Sequence, residues 1–182
     1  GWGAGPVNTS LWNEWRQTEP TDIRRTGSIL NVETDVEDYI YGADAQMEET
    51  GFWQKKYIPI RAYKDGTLIN SYAVLKDNAI DDMQRSHMQD LILIRFADVL
   101  LMHAELKEDA TNLNRVRARA KLAAVPYSLT ALKRERRWEL AFEGLRYFDL
   151  MRWGDAANAL AAQEGVDIKN KGIDTKMRAF GG

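Results

Sequence analysis

Glu135, Glu139 and Glu143 recur every four residues within the segment KRERRWELAFEGLRYFDLMRWG, which runs from residue 133 to residue 154. On a helix that spacing stacks three carboxylates along one face. Carboxyl groups about 5 to 10 Å apart can hydrolyse a glycosidic bond, provided that one of them has a raised pKa and acts as the acid. The neighbouring residues oppose that chemistry. Arg134, Arg136, Arg137, Arg146 and Arg152 lie close in sequence, and adjacent guanidinium groups lower carboxyl pKa values and keep the carboxylates ionised. Three like charges in a row also repel unless arginines neutralise them, which planar guanidinium groups do bidentately. The pattern is therefore expected to be a structural network in which Glu135, Glu139, Glu143 and Arg146 lock helices together, joined by Arg95 and Asp98 from an earlier helix.

Other chemistries find less support. A carboxylate-bridged di-metal site wants Glu-x-x-His pairs, but the two histidines, His87 and His103, lie outside the segment. His103, on an otherwise apolar helix, reads as a hydrogen-bonded core residue. There is no Gly-x-Ser-x-Gly, no phosphate-cradling glycine loop and no zinc spacing. The chain has no cysteine, which removes disulfides, thiolate ligands and a cysteine nucleophile. No catalytic residue, metal or cofactor is expected. The end of the basic run from Arg115 to Arg137 is interleaved with acidic residues through Glu135 to Glu143, and the formal net charge is −2, so no overall positive field exists to hold nucleic acid.

Aromatic residues are the better candidates for binding. Trp2, Trp12, Tyr39, Tyr41, Trp53, Tyr57, Tyr63 and Tyr72 sit among Gly, Asn, Asp and Lys, outside clean amphipathic stripes. Exposed rings bind the C–H faces of sugars while neighbouring amide, carboxylate and guanidinium groups reach the hydroxyls. Trp2, in a glycine-rich loop, and Trp12, off the face shared by Leu11 and Trp15, lead as ligand contacts; Tyr39, Tyr41 and Trp53 follow. Trp15, Trp138, Phe148 and Trp153 read as packing residues.

The elements that must position these residues change character near residue 90. Before it, Gly, Pro, Asn and Asp punctuate short β-branched or aromatic runs at 28–32, 53–60 and 68–75, and Lys64-Asp65-Gly66-Thr67 reads as a hairpin turn. One early helix is expected over residues 9–17. After residue 90 helices dominate. Residues 91–106 are apolar nearly all round and predict a helix buried on most sides, with Arg95, Asp98 and Glu105 in one sector. Charges interrupt this run, whereas a bilayer span needs about 20 apolar residues. Residues 112–122 form an amphipathic helix on Leu113, Val116 and Ala120. Ser128 caps a longer helix over 129–142; a turn or two follows through Trp153, and Asp155 caps an alanine-rich helix over 156–163. With 45% apolar and 29% charged residues, the 182-residue chain has the balance of a folded, soluble one. Its first six residues, GWGAGP, carry no signal-peptide features, so a mature or truncated start is expected.

The wording of three segments adds a resemblance. Residues 94–105, IRFADVLLMHAE, resemble the "IRyADVlLmyAEA" helix of the SusD/RagB family. Residues 113–120, LNRVRARA, are similar to its "LNevRaRAG", and residues 135–154, ERRWELAFEGLRYFDLMRWG, look like its "ERRxELAFEGxRyfDLxRWG". Asp22-Ile23-Arg24-Arg25 and Lys55-Lys56-Tyr57-Ile58 are similar to the weaker "DpRR" and "KYi" elements. His103 stands where the family commonly has tyrosine, and Lys121 where it commonly has glycine. A lipidated cysteine, a tetratricopeptide-like helical half and a final "PIP" segment have no counterpart, so the chain reads as the C-terminal portion of a longer protein.

The resemblance implies a mainly α fold of packed helices with long loops and a few short strands. Residues 1–90 would be the loop-rich, ligand-binding part, 91–164 the helical scaffold and 165–182 a tail. It further implies a non-catalytic, lipid-anchored protein of the outer-membrane cell surface. Such proteins deliver oligosaccharides, or in some branches peptides, to a SusC-like TonB-dependent transporter, and touch the membrane only through an anchor absent from this chain.

Overall fold

The computed structural model describes residues 6–36, 49–57, 62–64, 67–69, 90–170 and 172–178. The fold is mainly α. Helices α1 (Thr9–Thr18) and α2 (Ile23–Ser28) precede strand β1 (Ile29–Asn31), the short α3 (Val32–Asp35), and strands β2 (Phe52–Gln54), β3 (Ala62–Lys64) and β4 (Thr67–Ile69). Then come α4 (Phe96–Lys107), α5 (Ala110–Arg119), α6 (Leu129–Glu139), α7 (Arg146–Arg152) and α8 (Ala156–Ala161), followed by β5 (Asp167–Asn170) and β6 (Ile173–Lys176). The strands form three antiparallel pairs: β1 with β2, β3 with β4, and β5 with β6. Lys64 pairs with Thr67, the register expected of a hairpin there. The segment expected to be a tail contains the β5–β6 hairpin, and Lys169 bridges to the buried Glu49.

Local sequence starts these helices. Asn8, Asp22, Asp109 and Ser128 each accept a hydrogen bond from a main-chain N–H one or two residues inside the helix that follows, filling donors that a helix start leaves open. Two apolar clusters then meet on α6. Leu132 joins Leu101 and Ala104 of α4, Leu113 and Val116 of α5, and Leu140. Trp138 joins Val7, Trp15, Ile29 and Ala141, with the Trp15 and Trp138 rings parallel at 5.2 Å. Each fully buried side chain of this kind contributes about 1.5 to 3 kcal/mol. Between the two clusters α6 turns Glu135 and Glu139 inward.

Several expectations are corrected. The helix expected over 91–106 begins at Phe96, and it is not buried on most sides: Leu101 and Ala104 are enclosed, but Phe96 is 65% and Leu106 85% exposed. All-round apolarity shows that a helix tolerates burial, and only neighbours decide which faces are covered; here α5 and α6 cover one. Phe148, expected to pack, is exposed for the same reason. His103 lies at the surface, where Asn112 Nδ2 is 2.9 Å from its Nδ1. The helix expected to reach residue 142 stops at Glu139. The first helical bond lost is that from the Ala141 N–H to the Arg137 carbonyl oxygen, since the Ala141 N–H turns to Trp138 at 3.5 Å. Two residues on, the Glu143 N–H turns to Leu140, and the open Glu139 carbonyl oxygen accepts from Arg95 and Lys56 at 2.6 and 3.0 Å. Asp155 stands at the α8 start but bonds Lys133 Nζ at 2.6 Å in place of capping the helix.

Candidate functional site

The carboxylate ladder is enclosed and ion-paired. Glu135 lies on α6, Glu139 ends it, and Glu143 lies in the turn beyond; cations from four directions converge on them. Arg24 of α2 spreads its fork across Asp22, Glu135 and Glu139, with Nη1 at 2.5 Å from Glu135 Oε1 and 2.8 Å from Glu139 Oε2. Arg95, just before α4, reaches Glu139 Oε1 at 2.6 Å and both oxygens of Glu143. Arg117 and Arg119 of α5 reach Glu135 and Glu139, and Lys56 reaches Glu143 at 2.6 Å. Asp22 also accepts the Trp15 indole N–H at 2.9 Å, so the ion pairs and the tryptophan stack are one assembly.

A second cluster sits beside it. Arg136 donates to Asp98 and Asp149, each at 2.8 Å, and Arg152 to Asp149 and Glu105. Arg95, Asp98, Glu135, Glu139 and Glu143 each lie within hydrogen-bond distance of an oppositely charged side chain. Arg146 differs: among the described residues it makes no ion pair with the ladder, and it lies in the fields of Arg137, Asp149, Glu14 and Asp155. Its position at the first turn of α7 carries it away from the inward face of α6.

These surroundings determine protonation. Burial opposes ionisation of Glu139, yet hydrogen bonds from Arg24, Arg95 and Arg119 outweigh it and bring the carboxyl down to about 2. Burial likewise opposes the charge on Arg24, and its bonds to Asp22, with the field of Glu135, raise its pKa all the same. A carboxyl ionised this firmly carries no proton to give a leaving group near neutrality. The ladder's partners that sequence spacing missed are Asp22, Arg24 and Lys56; all three lie in the two weaker family-like elements, which were readable as motifs but not as partners of the ladder.

The aromatic candidates divide. Trp2, Tyr39 and Tyr41 lie outside the described residues. Trp12 is half-buried, and its ring stacks on Phe52 at 4.8 Å while the Arg25 guanidinium lies 4.5 Å from its centroid. It therefore borders the Trp15 cluster that it was expected to point away from. Trp53 is half-buried in β2 opposite Leu30, and strand alternation turns it away from Phe52. Among the described residues, no group of three or more His, Asp or Glu side chains is arranged to hold a metal ion, and no helix is long and apolar enough to cross a membrane.

Comparison with known proteins places this architecture. The chain is 35% identical over 92 residues to a SusD-like protein of Formosa agariphila, an overlap of 41% of this chain and 18% of that protein. Among solved structures, a laminarin binding SusD-like protein matches 86% of this chain with a TM-score of 0.58 and 31% identity. Surface glycan-binding protein A from Bacteroides fluxus matches 87% at 0.63 and 27%, and its counterpart from Bacteroides thetaiotaomicron 88% at 0.61 and 25%. The matched parts are 32%, 32% and 34% of those three chains, so this chain spans about a third of their length. The SusD family model matches residues 10–180, nearly the whole of this sequence, and the chain belongs to the SusD family.

Proposed function

We propose that the protein to which this chain belongs binds oligosaccharides at the cell surface without modifying them, and hands them to a SusC-like TonB-dependent transporter in the outer membrane. A lipid anchor outside this sequence would hold it there. The observation that carries the reading is the likeness, across 86–88% of the chain, to three proteins named for binding laminarin or surface glycans. The charge network supports the non-catalytic part, because its carboxylates are engaged by arginines and Glu139 is held ionised. Binding falls to the aromatic residues of the first half: Trp12 and Trp53, together with Trp2, Tyr39 and Tyr41.

The test is a binding screen of oligosaccharides against peptides on the full-length protein, with reducing ends assayed in the same samples. Oligosaccharide binding without release of reducing ends is expected. Binding of peptides alone would replace the glycan reading. Sustained release of reducing ends, lost in Glu139→Gln, would make the protein a glycosidase.

A further inference from the structure

Arg24 and Arg25 are adjacent in sequence and opposite in circumstance. Arg24 donates to three carboxylates. The Arg25 side chain has no hydrogen bond and no ion pair among the described residues: its Nε is buried without a partner, and its guanidinium carbon lies over the Trp12 ring, 4.5 Å from the centroid. Asp22, the carboxylate whose field favours Arg25, is already engaged by Arg24 and by the Trp15 indole. Arg16 stands one turn after Trp12 on α1, exposed and also without an ion pair among the described residues. Its charge lies close enough to act against that of Arg25.

This arrangement departs from the ion-paired network. Arg24, Arg117 and Arg136 are enclosed, Arg95 is half-buried, and all four are matched by carboxylates. Arg146 also lacks a hydrogen bond, but three carboxylates lie in its field. At Arg25 a partly desolvated cation faces a second cation and an aromatic ring. The ring offsets part of the cost through its negative face and fixes the guanidinium plane. It leaves the in-plane N–H groups without acceptors, and those are the groups that grip a planar or tetrahedral anion in pairs.

Taking the oligosaccharide-binding reading as its basis, we infer that the glycan carries anionic substituents, uronate carboxylates or sulfate esters, which Arg25 and Arg16 recognise beside Trp12. The tryptophan orients Arg25. The chain as a whole is net negative, so the preference is local and does not extend to polyanions in general.

The experiment uses the full-length protein on a glycan array that contains neutral glucans, oligogalacturonate with its methyl ester, and a sulfated galactan with its desulfated form. Titration calorimetry follows on the best pairs. The parent is expected to bind one charged member about tenfold or more tightly than its neutralised counterpart, as loss of a charge-assisted bond implies. Arg25→Met should erase most of that ratio with unchanged melting, and Arg25→Lys should restore part of it. Preference for the uronate pair or for the sulfate pair identifies the anion. Equal binding within both pairs, or a preference that survives Arg25→Met, overturns the inference and leaves glycan binding standing. Binding of peptides with no glycan on the array overturns both.

Discussion

Arg95 holds Glu139 twice: Nη1 donates to the side-chain Oε1 at 2.6 Å and Nη2 to the main-chain carbonyl oxygen at 2.6 Å. One cation therefore neutralises the middle of the carboxylate ladder and also satisfies a carbonyl oxygen left open at the end of α6. The sequence feature that resembles a catalytic pair is in this way tied into the backbone geometry of the scaffold.

Removing Glu139 should accordingly damage folding. Glu139→Ala leaves Arg24, Arg95 and Arg119 without a shared acceptor in an enclosed site. Breaking a buried pair costs about 3 to 5 kcal/mol, a large share of the roughly 5 to 15 kcal/mol by which a domain is stable. Thermal and denaturant unfolding of the full-length protein should show early melting, with Glu139→Gln less affected because its amide oxygen still accepts.

The same group makes stability depend on pH. The Glu139 carboxyl sits at about 2 in the folded chain against an ordinary 4.5, so near pH 4 the unfolded chain takes up a proton that the folded chain refuses. The contribution is complete above 4.5 and disappears as pH falls toward 2, an amount of about 3 kcal/mol. Asp22 and Glu105 are also held low against the pull of burial, by Arg24 and Trp15 and by Arg152 and Trp153 respectively, and lose stability in the same direction. Denaturant midpoints measured from pH 6 to pH 3 should fall, and should fall less steeply in Glu139→Gln.

The two arginines Arg136 and Arg146 should separate. Arg136 joins Asp98 of α4 to Asp149 of α7, so Arg136→Met strands the enclosed Asp98 and leaves Asp149 with Arg152 alone, and should cost about 3 kcal/mol or more. Arg146 holds no carboxylate by hydrogen bond, and burial together with Arg137 already lowers its pKa. Arg146→Met should change stability by about 1 kcal/mol or less. Equal losses in the two variants would show that Arg146 anchors the network after all.

How far the sequence could be read depends on what kind of information each feature carries. The helices with local start signals were legible, because Ser128 and the Leu113, Val116 and Ala120 stripe act within one helix. The ladder was legible as needing arginines, since repulsion at four-residue spacing is local. Which arginines would serve was not: Arg24 lies 111 residues from Glu135, and no periodicity reports such a contact. The cations that take the Glu139 carbonyl oxygen were hidden for the same reason, Lys56 and Arg95 being distant from it in sequence. Exposure of Phe96 and Leu106 depends on neighbours, as does the packing of Trp12 on Phe52.

Lys121 links a departure in sequence to a measurable strain. It occupies the left-handed region with φ of 60° in the turn that ends α5, where Leu122 N–H bonds the Arg117 carbonyl and Lys121 N–H that of Ala118. This is the position at which glycine is favoured, and family sequences resembling this one commonly carry it there. Lys121→Gly should raise stability by about 1 kcal/mol, read as a higher unfolding midpoint; a lower midpoint would mean that the lysine side chain contributes more than its backbone costs.

The division between an ion-paired scaffold and an aromatic binding surface is tested most directly by titrating one bound oligosaccharide against the full-length parent, Trp12→Ala and Glu139→Gln, with unfolding measured on each. Trp12→Ala should weaken binding by about 1 to 3 kcal/mol, while losing its stack on Phe52 costs only about 1 kcal/mol of stability. Glu139→Gln should melt earlier and, below its melting range, bind with parental affinity. Parental melting with abolished binding in Glu139→Gln, alongside full affinity in Trp12→Ala, would contradict that division and place the ligand on the carboxylate ladder.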